Sequence, residues 1–172
     1  MVKLHADWSE FLRLLNAHRV RFVIVGGHAL AANGRPRLTG DLDIFLQPTL
    51  ANGTRVVRAL SEFGFSGLEP DRLTKPETVV FMGREPFRID LITSIDGVSF
   101  DSAWKGRLRG RLGGQSVSFL GRRQLVANKR AAGRPKDLAD LALLKEVPAL
   151  PGSTRKRPSR SRPKKKIASR KK

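Results

Sequence analysis

Apolar residues along the chain change their period from one segment to the next. Over Asp7 to Arg19 they recur as Trp8, Phe11, Leu12 and Leu15, the spacing of one helical face, with Asp7 placed to cap the helix. Arg21-Phe-Val-Ile-Val25 is then a short β-branched strand. Gly26-Gly27 breaks it before His28-Ala-Leu-Ala-Ala32, a run of good helix formers ended by Asn33-Gly34-Arg-Pro36. Leu42 to Leu46 reads as a second strand, and Thr54 to Phe63 as a helix stopped by Gly64. Thr78 to Met82 and Phe87 to Thr93 read as a hairpin around Gly83-Arg-Glu-Pro86. Ser116 to Leu120 is a short strand after a glycine turn. Arg122 to Ala132 and Pro135 to Glu146 follow as two helices, the second opened by proline in its first turn. No internal repeat occurs, and the alternation of helices and strands predicts an α/β or α+β fold.

Three aspartates interrupt the strands. In Thr39-Gly-Asp41-Leu-Asp43-Ile-Phe-Leu46 the carboxylates alternate with apolar residues, so Asp41 and Asp43 point to one face while Leu42 and Ile44 point to the other. Phe87-Arg-Ile-Asp90-Leu-Ile92 repeats the device, with Arg88 and Asp90 on one face. An anionic side chain at a strand centre is costly unless a cation compensates it. Carboxylates brought together would repel, and hard divalent ions such as Mg²⁺ or Mn²⁺ suit an all-oxygen donor set. Arg88 could also pair with Asp90 across the strand surface, and Asp41 and Asp43 could line a solvated edge strand.

The glycines supply the complementary half. A strand, a glycine pair and a helix make a phosphate-binding arrangement, because a backbone without Cβ atoms approaches a ligand closely and a helix start offers free N–H groups. Here Gly26-Gly27 is followed, after residues 28 to 40, by the Asp-x-Asp strand. With Gly26, Gly27, Asp41, Asp43 and Asp90 in this order, the chain resembles the nucleotidyltransferase superfamily of the DNA polymerase β-like fold. The wording Val-Gly-Gly-His-Ala-Leu and Arg-x-Thr-x-Asp-Leu-Asp-Ile is similar to its small prokaryotic branch of stand-alone enzymes and toxin-like members. The resemblance spans roughly residues 8–146.

That resemblance implies a mixed β-sheet flanked by helices and a two-metal, Mg²⁺- or Mn²⁺-dependent transfer of a nucleoside monophosphate from an NTP, ATP among the candidates, to an acceptor. It makes Asp41, Asp43 and Asp90 the metal ligands and catalytic carboxylates, with Asp90 a candidate base for the acceptor hydroxyl. Gly26 and Gly27 become nucleotide-binding residues. Arg37 and Thr39 join them if the strand extends backwards, the alternative being plain loop chemistry after Pro36. Lys129, in Asn128-Lys-Arg-Ala-Ala-Gly-Arg-Pro-Lys-Asp-Leu-Ala-Asp140, is implied to touch the triphosphate. Asp137 and Asp140, three apart, are expected to complement the dipole of a helix's first turn. His28 carries no assignment. Gly34-Arg-Pro-Arg37 and Gly133-Arg-Pro-Lys136 resemble minor-groove arginine hooks, but both sit at helix boundaries where such residues are ordinary punctuation. The toxin-like members would bring an antitoxin as partner.

Charge alters the picture most. The 172-residue chain carries +19, and residues 151–172 hold 11 of its 34 Lys and Arg with no acid. The remaining 23 basic and 15 acidic residues leave +8 on residues 1–150, which read as one nucleotidyltransferase domain. Residues 151–172, with one large aliphatic side chain, read as a disordered Lys/Arg-rich tail that binds polyanions. An acceptor of RNA, tRNA or protein fits this charge better than a polycationic small molecule. With no cysteine, disulfides and thiolate metal sites are excluded. No apolar run reaches the ~20 residues of a membrane span, so the reading is cytoplasmic with no membrane partner. The alternative function is a catalytically silent relative that binds nucleic acid through its tail.

Overall fold

Strand alternation sorts the apolar side chains onto two faces of one sheet, and helices cover both. The structure, a computed structural model, describes residues 5–145. The predicted basic tail lies outside the described residues. The sheet contains β1 (Phe22–Ile24), β2 (Asp41–Leu46), β3 (Val79–Met82), β4 (Arg88–Ile92), β5 (Leu108–Leu112) and β6 (Gln115–Phe119). Their order is β3-β4-β2-β1-β6-β5. β2 runs parallel to β4 and β1 parallel to β6, and the other neighbours are antiparallel. This is the α+β architecture that the alternation predicts, with the mixed, helix-flanked sheet that the resemblance implies.

On one face Leu42, Ile44, Ile89 and Leu91 meet Phe11, Leu12, Leu15, Val56 and Leu60 from α1 (Ala6–Ala17) and α3 (Leu50–Glu62). On the other, Val23, Val25, Phe45 and Leu120 form a second core. Its helical side comes from α2 (Gly26–Ala32), α4 (Phe100–Lys105), α5 (Arg122–Ala132) and α6 (Pro135–Lys145), through Leu30, Phe100, Leu125 and Leu144. Asp41, Asp43 and Asp90 share the parity of Phe45 and Ile92, so they belong to this second face.

Several boundaries differ from the sequence reading for local reasons. Asp7 does not cap α1: the N-cap position is His5, and Asp7 lies in the first turn. α2 begins at Gly26, so the glycine pair forms its first turn rather than a break before it. α3 begins at Leu50 because the Thr49 side chain accepts from the Asn52 N–H and caps it. α4, β5 and a 3₁₀ turn over Pro70–Thr74 were not predicted. In β5 two arginines and a glycine hide the strand alternation.

Asn52, 1% exposed, ties α3 to the sheet. Its Oδ1 accepts from the Arg21 N–H at 2.8 Å, and its Nδ2 donates to the carbonyls of Arg21 and Gln47 at 3.0 and 3.1 Å. Asn52→Ala leaves the Arg21 N–H unpaired, while the two carbonyls keep the Gln47 and Thr49 N–H groups, and is expected to cost about 1–3 kcal/mol. The reading is a lower urea midpoint at unchanged m-value. Asn52→Asp keeps the acceptor but loses the donor, and is expected to recover only part of that loss.

Candidate active site

The parallel register of β2 and β4 sets Asp41 beside Arg88 and Asp43 beside Asp90. One ligand oxygen from each of Asp41, Asp43 and Asp90 thereby lies within 4.8 Å of the others. Asp90 is buried, and the other two are half-buried. Arg88 supplies a nearby positive charge: its Nε and Nη2 donate to Asp90 at 2.7 and 2.9 Å, and Nη2 reaches Asp41 at 3.5 Å. The Phe81 ring lies 5.0 Å beneath the same guanidinium. Burial, followed by the charges of Asp41 and Asp90, pushes the Asp43 carboxyl up to about 6, against the opposing pull of Lys136 and Arg88.

The glycine pair is required by the side chains of the site itself. Gly26 has φ +60°, and a Cβ there would lie 1.9 Å from Asp43 Oδ2. A Cβ on Gly27 would lie 2.7 Å from Thr39 Cβ. Thr39 in turn donates to Asp41 Oδ1 at 2.7 Å. The strand does not extend back to Thr39, since β2 starts at Asp41. The preceding loop nevertheless delivers the hydroxyl to the carboxylate.

A second ionic cluster joins α5 and α6. Lys129, 3% exposed, donates to Asp137 at 2.9 Å and lies 2.6 Å from Asp140. Arg134 binds Asp137 at 2.6 Å, and Arg37 binds Asp140 at 3.0 and 3.3 Å. Burial pushes both carboxyls up, but hydrogen bonds from Arg134, Arg37 and Lys129 outweigh it and hold them below the usual carboxylate range. Asp137 lies in the first turn of α6 as expected and Asp140 beyond it, and both are interior anchors held by these cations. The two Gly-Arg-Pro strings are absorbed into this architecture. Gly133, at φ +61°, ends α5 in the left-handed conformation, and Arg37 pins its loop to α6.

A cleft of about 240 Å³ collects Gly26, Gly27, Arg37, Thr39, Asp41, Asp43 and Lys129 in one wall. Asp90 joins through its register with Asp43 rather than by lining the cleft. Arg134, Lys136, Asn128 and Asp96 also line it, whereas the sequence reading assigned the triphosphate contact in this segment to Lys129. Lys136 is the informative addition. It is exposed, and its charge acts on Asp43. Composition cannot separate Lys129 from Lys136; the phase of their two helices does. His28 lines a different groove, with Phe119 and Leu108, and its ring meets Trp8 edge-on at 5.4 Å. Burial lowers its pKa, which Asp41 only partly offsets.

A family model described as a nucleotidyl transferase of unknown function matches residues 5–167. No curated protein matches the chain.

Two stability measurements probe this centre without substrate. The folded-state pKa of Asp43 lies above its ordinary value of 3.8. The native protein therefore binds more protons between about pH 4 and 6, and stability drains away as pH rises through that window. In metal-free buffer Asp43→Asn is expected to match wild type near pH 4 and to exceed it by about 3 kcal/mol at pH 7.5. Saturating Mg²⁺ or Mn²⁺ should reverse the order at pH 7.5. Lys129→Met removes the cation shared by two buried carboxylates, leaving Asp137 to Arg134 and Asp140 to Arg37, and is expected to cost about 2–3 kcal/mol in chemical denaturation.

Proposed function

The chain belongs to this family of nucleotidyl transferases, and from that premise we propose that it moves a nucleoside monophosphate from an NTP to a hydroxyl of an RNA acceptor. The observation that carries the reading is the convergence of three ligand oxygens within 4.8 Å. An all-oxygen donor set in which burial, and then repulsion from Asp41 and Asp90, raise Asp43 to about 6 fits Mg²⁺ or Mn²⁺. Asp41, Asp43 and Asp90 would hold the metal. Two such ions, when bound, supply charge stabilisation at the attacking and leaving oxygens.

The remaining work falls to the chain. Thr39 fixes the Asp41 carboxylate, and Arg88 holds Asp90 in place. Gly26 and Gly27 leave the backbone open to the phosphates. Lys136 offers the triphosphate a mobile cation, with Arg37 beside it, while Lys129 shapes the same wall from within its ion pairs. The acceptor oxygen bonds to the α-phosphorus as the bond from that phosphorus to the β-phosphate bridging oxygen breaks. Pyrophosphate leaves, and the hydroxyl proton passes to a carboxylate of the triad. The +8 charge of residues 1–150 favours RNA over a cationic small molecule.

The test is incubation with each α-labelled NTP, Mg²⁺ or Mn²⁺, and bulk tRNA. Label is expected on RNA with wild type and to fall to background with Asp41→Ala/Asp43→Ala. Lys136→Ala is expected to raise the KM for NTP about tenfold, the loss of one charge-assisted contact of about 1.5 kcal/mol, with unchanged melting temperature. No incorporation anywhere, with tight metal-independent RNA binding by both proteins, would sink the reading in favour of a silent binding protein.

A further inference from the structure

Two arginines flank one indole at the far side of the sheet from β3, and a third lines the groove beside it. Arg107 lies over the Trp104 ring at 3.9 Å and donates to the Trp104 carbonyl, while Arg21 stands 5.6 Å from the same ring. Arg109, on the edge strand β5, is close enough to disfavour the charge on Arg107. Burial is the first cause lowering the Arg107 pKa, and Arg109 and Arg21 are the next two. No carboxylate opposes them there, and among the described residues none of the three forms an ion pair. A guanidinium stays charged at neutral pH, so the repulsion is built into the free protein.

Edge protection explains only part of this. Charged residues discourage edge-to-edge pairing, which accounts for Arg109 and Arg111 on β5. It does not account for Arg21, which precedes the interior strand β1, or for Arg107, which closes the end of α4. Long-range packing brings Arg21 to the ring, and Arg107 folds back onto Trp104 from three residues away. Beside them runs a groove of about 360 Å³ lined by Asn16, Trp104, Arg109, Ser116 and Ser118. The β5–β6 register places Arg109 opposite Ser118, so a cation and a hydroxyl face each other in the groove wall.

We propose that Arg21, Arg107 and Arg109, held around Trp104, form a docking surface for single-stranded RNA. Phosphates supply the missing counter-charge, and Ser116 and Ser118 meet the 2′-hydroxyls that distinguish RNA from DNA. Arg21 and Arg109 share a face parity with Asp41 and Asp43, since Arg21 alternates with Val23 and Asp43 with Phe45. The carboxylates and the arginines therefore address the same side of the sheet. The surface rests on the proposed transfer reaction only for what happens to the RNA once bound.

The test uses the full chain and a labelled single-stranded RNA oligonucleotide, without NTP or metal, so that failed transfer and failed docking are separate results. Each phosphate contact contributes about 0.7 to the slope of log affinity against log salt for single strands. The triple variant Arg21→Gln/Arg107→Gln/Arg109→Gln is expected to flatten that slope by about 2 and to weaken binding at least tenfold at low salt. RNA should also change the tryptophan fluorescence of the wild type but not that of Trp104→Phe. Unlabelled DNA of the same sequence should compete at least fivefold more weakly than RNA. Without RNA the triple variant is expected to melt at or above the wild-type temperature, because like charges are removed. An unchanged salt slope, equal competition by DNA, or a fall of several degrees in melting temperature would each overturn the proposal.

Discussion

Mutual repulsion among Asp41, Asp43 and Asp90 is the constraint around which this structure is arranged. Three carboxylates on one sheet face, with ligand oxygens inside 4.8 Å, would drive β2 and β4 apart if nothing opposed them. The fold answers with Arg88, which grips Asp90 and reaches Asp41, and with the partial protonation implied by an Asp43 pKa of about 6. Neither remedy is complete, since burial and the charges of Asp41 and Asp90 still raise Asp43. A residual demand for positive charge is what a site for divalent cations requires before it is filled.

The positive charges of the chain divide into those already satisfied and those left open. Lys129, Arg134 and Arg37 are spent on Asp137 and Asp140, locking α5 to α6 and both to the loop before β2. That cluster makes the cleft wall rigid but contributes little net charge to it. Lys136 and the arginines around Trp104 are not consumed in this way. In the proposed reading, binding of anionic partners falls to these cations, whose charge no carboxylate partner among the described residues consumes.

Much of the centre could be read directly from the chain. Asp41, Asp43 and Asp90 announce themselves because each breaks an apolar strand pattern, and strand parity alone puts them on one face. Gly26 and Gly27 were legible as well, though their stated reason was incomplete: the missing Cβ atoms make room for Asp43 and Thr39. Elements with ambiguous patterns were missed. β5 is hidden by Arg109, Gly110 and Arg111, and α4 spans only Phe100–Lys105. The start of α3 at Leu50 was misplaced because the Thr49 cap, rather than apolar periodicity, sets it.

The sequence by itself determined what depends on neighbours a few residues apart: the helical and strand periods, the faces on which the carboxylates point, the glycine turn before the Asp-x-Asp strand and the separate charge of the final 22 residues. Only the tertiary structure decided which strand lies beside which, and so that Asp90 meets Asp43. It also decided that Lys129 is buried in ion pairs while Lys136, seven residues on, faces the cleft, and that Arg21 and Arg107 share an indole. Face parity is a property of a single extended strand, whereas register, helix phase and long-range pairing are settled by packing among segments far apart in the chain.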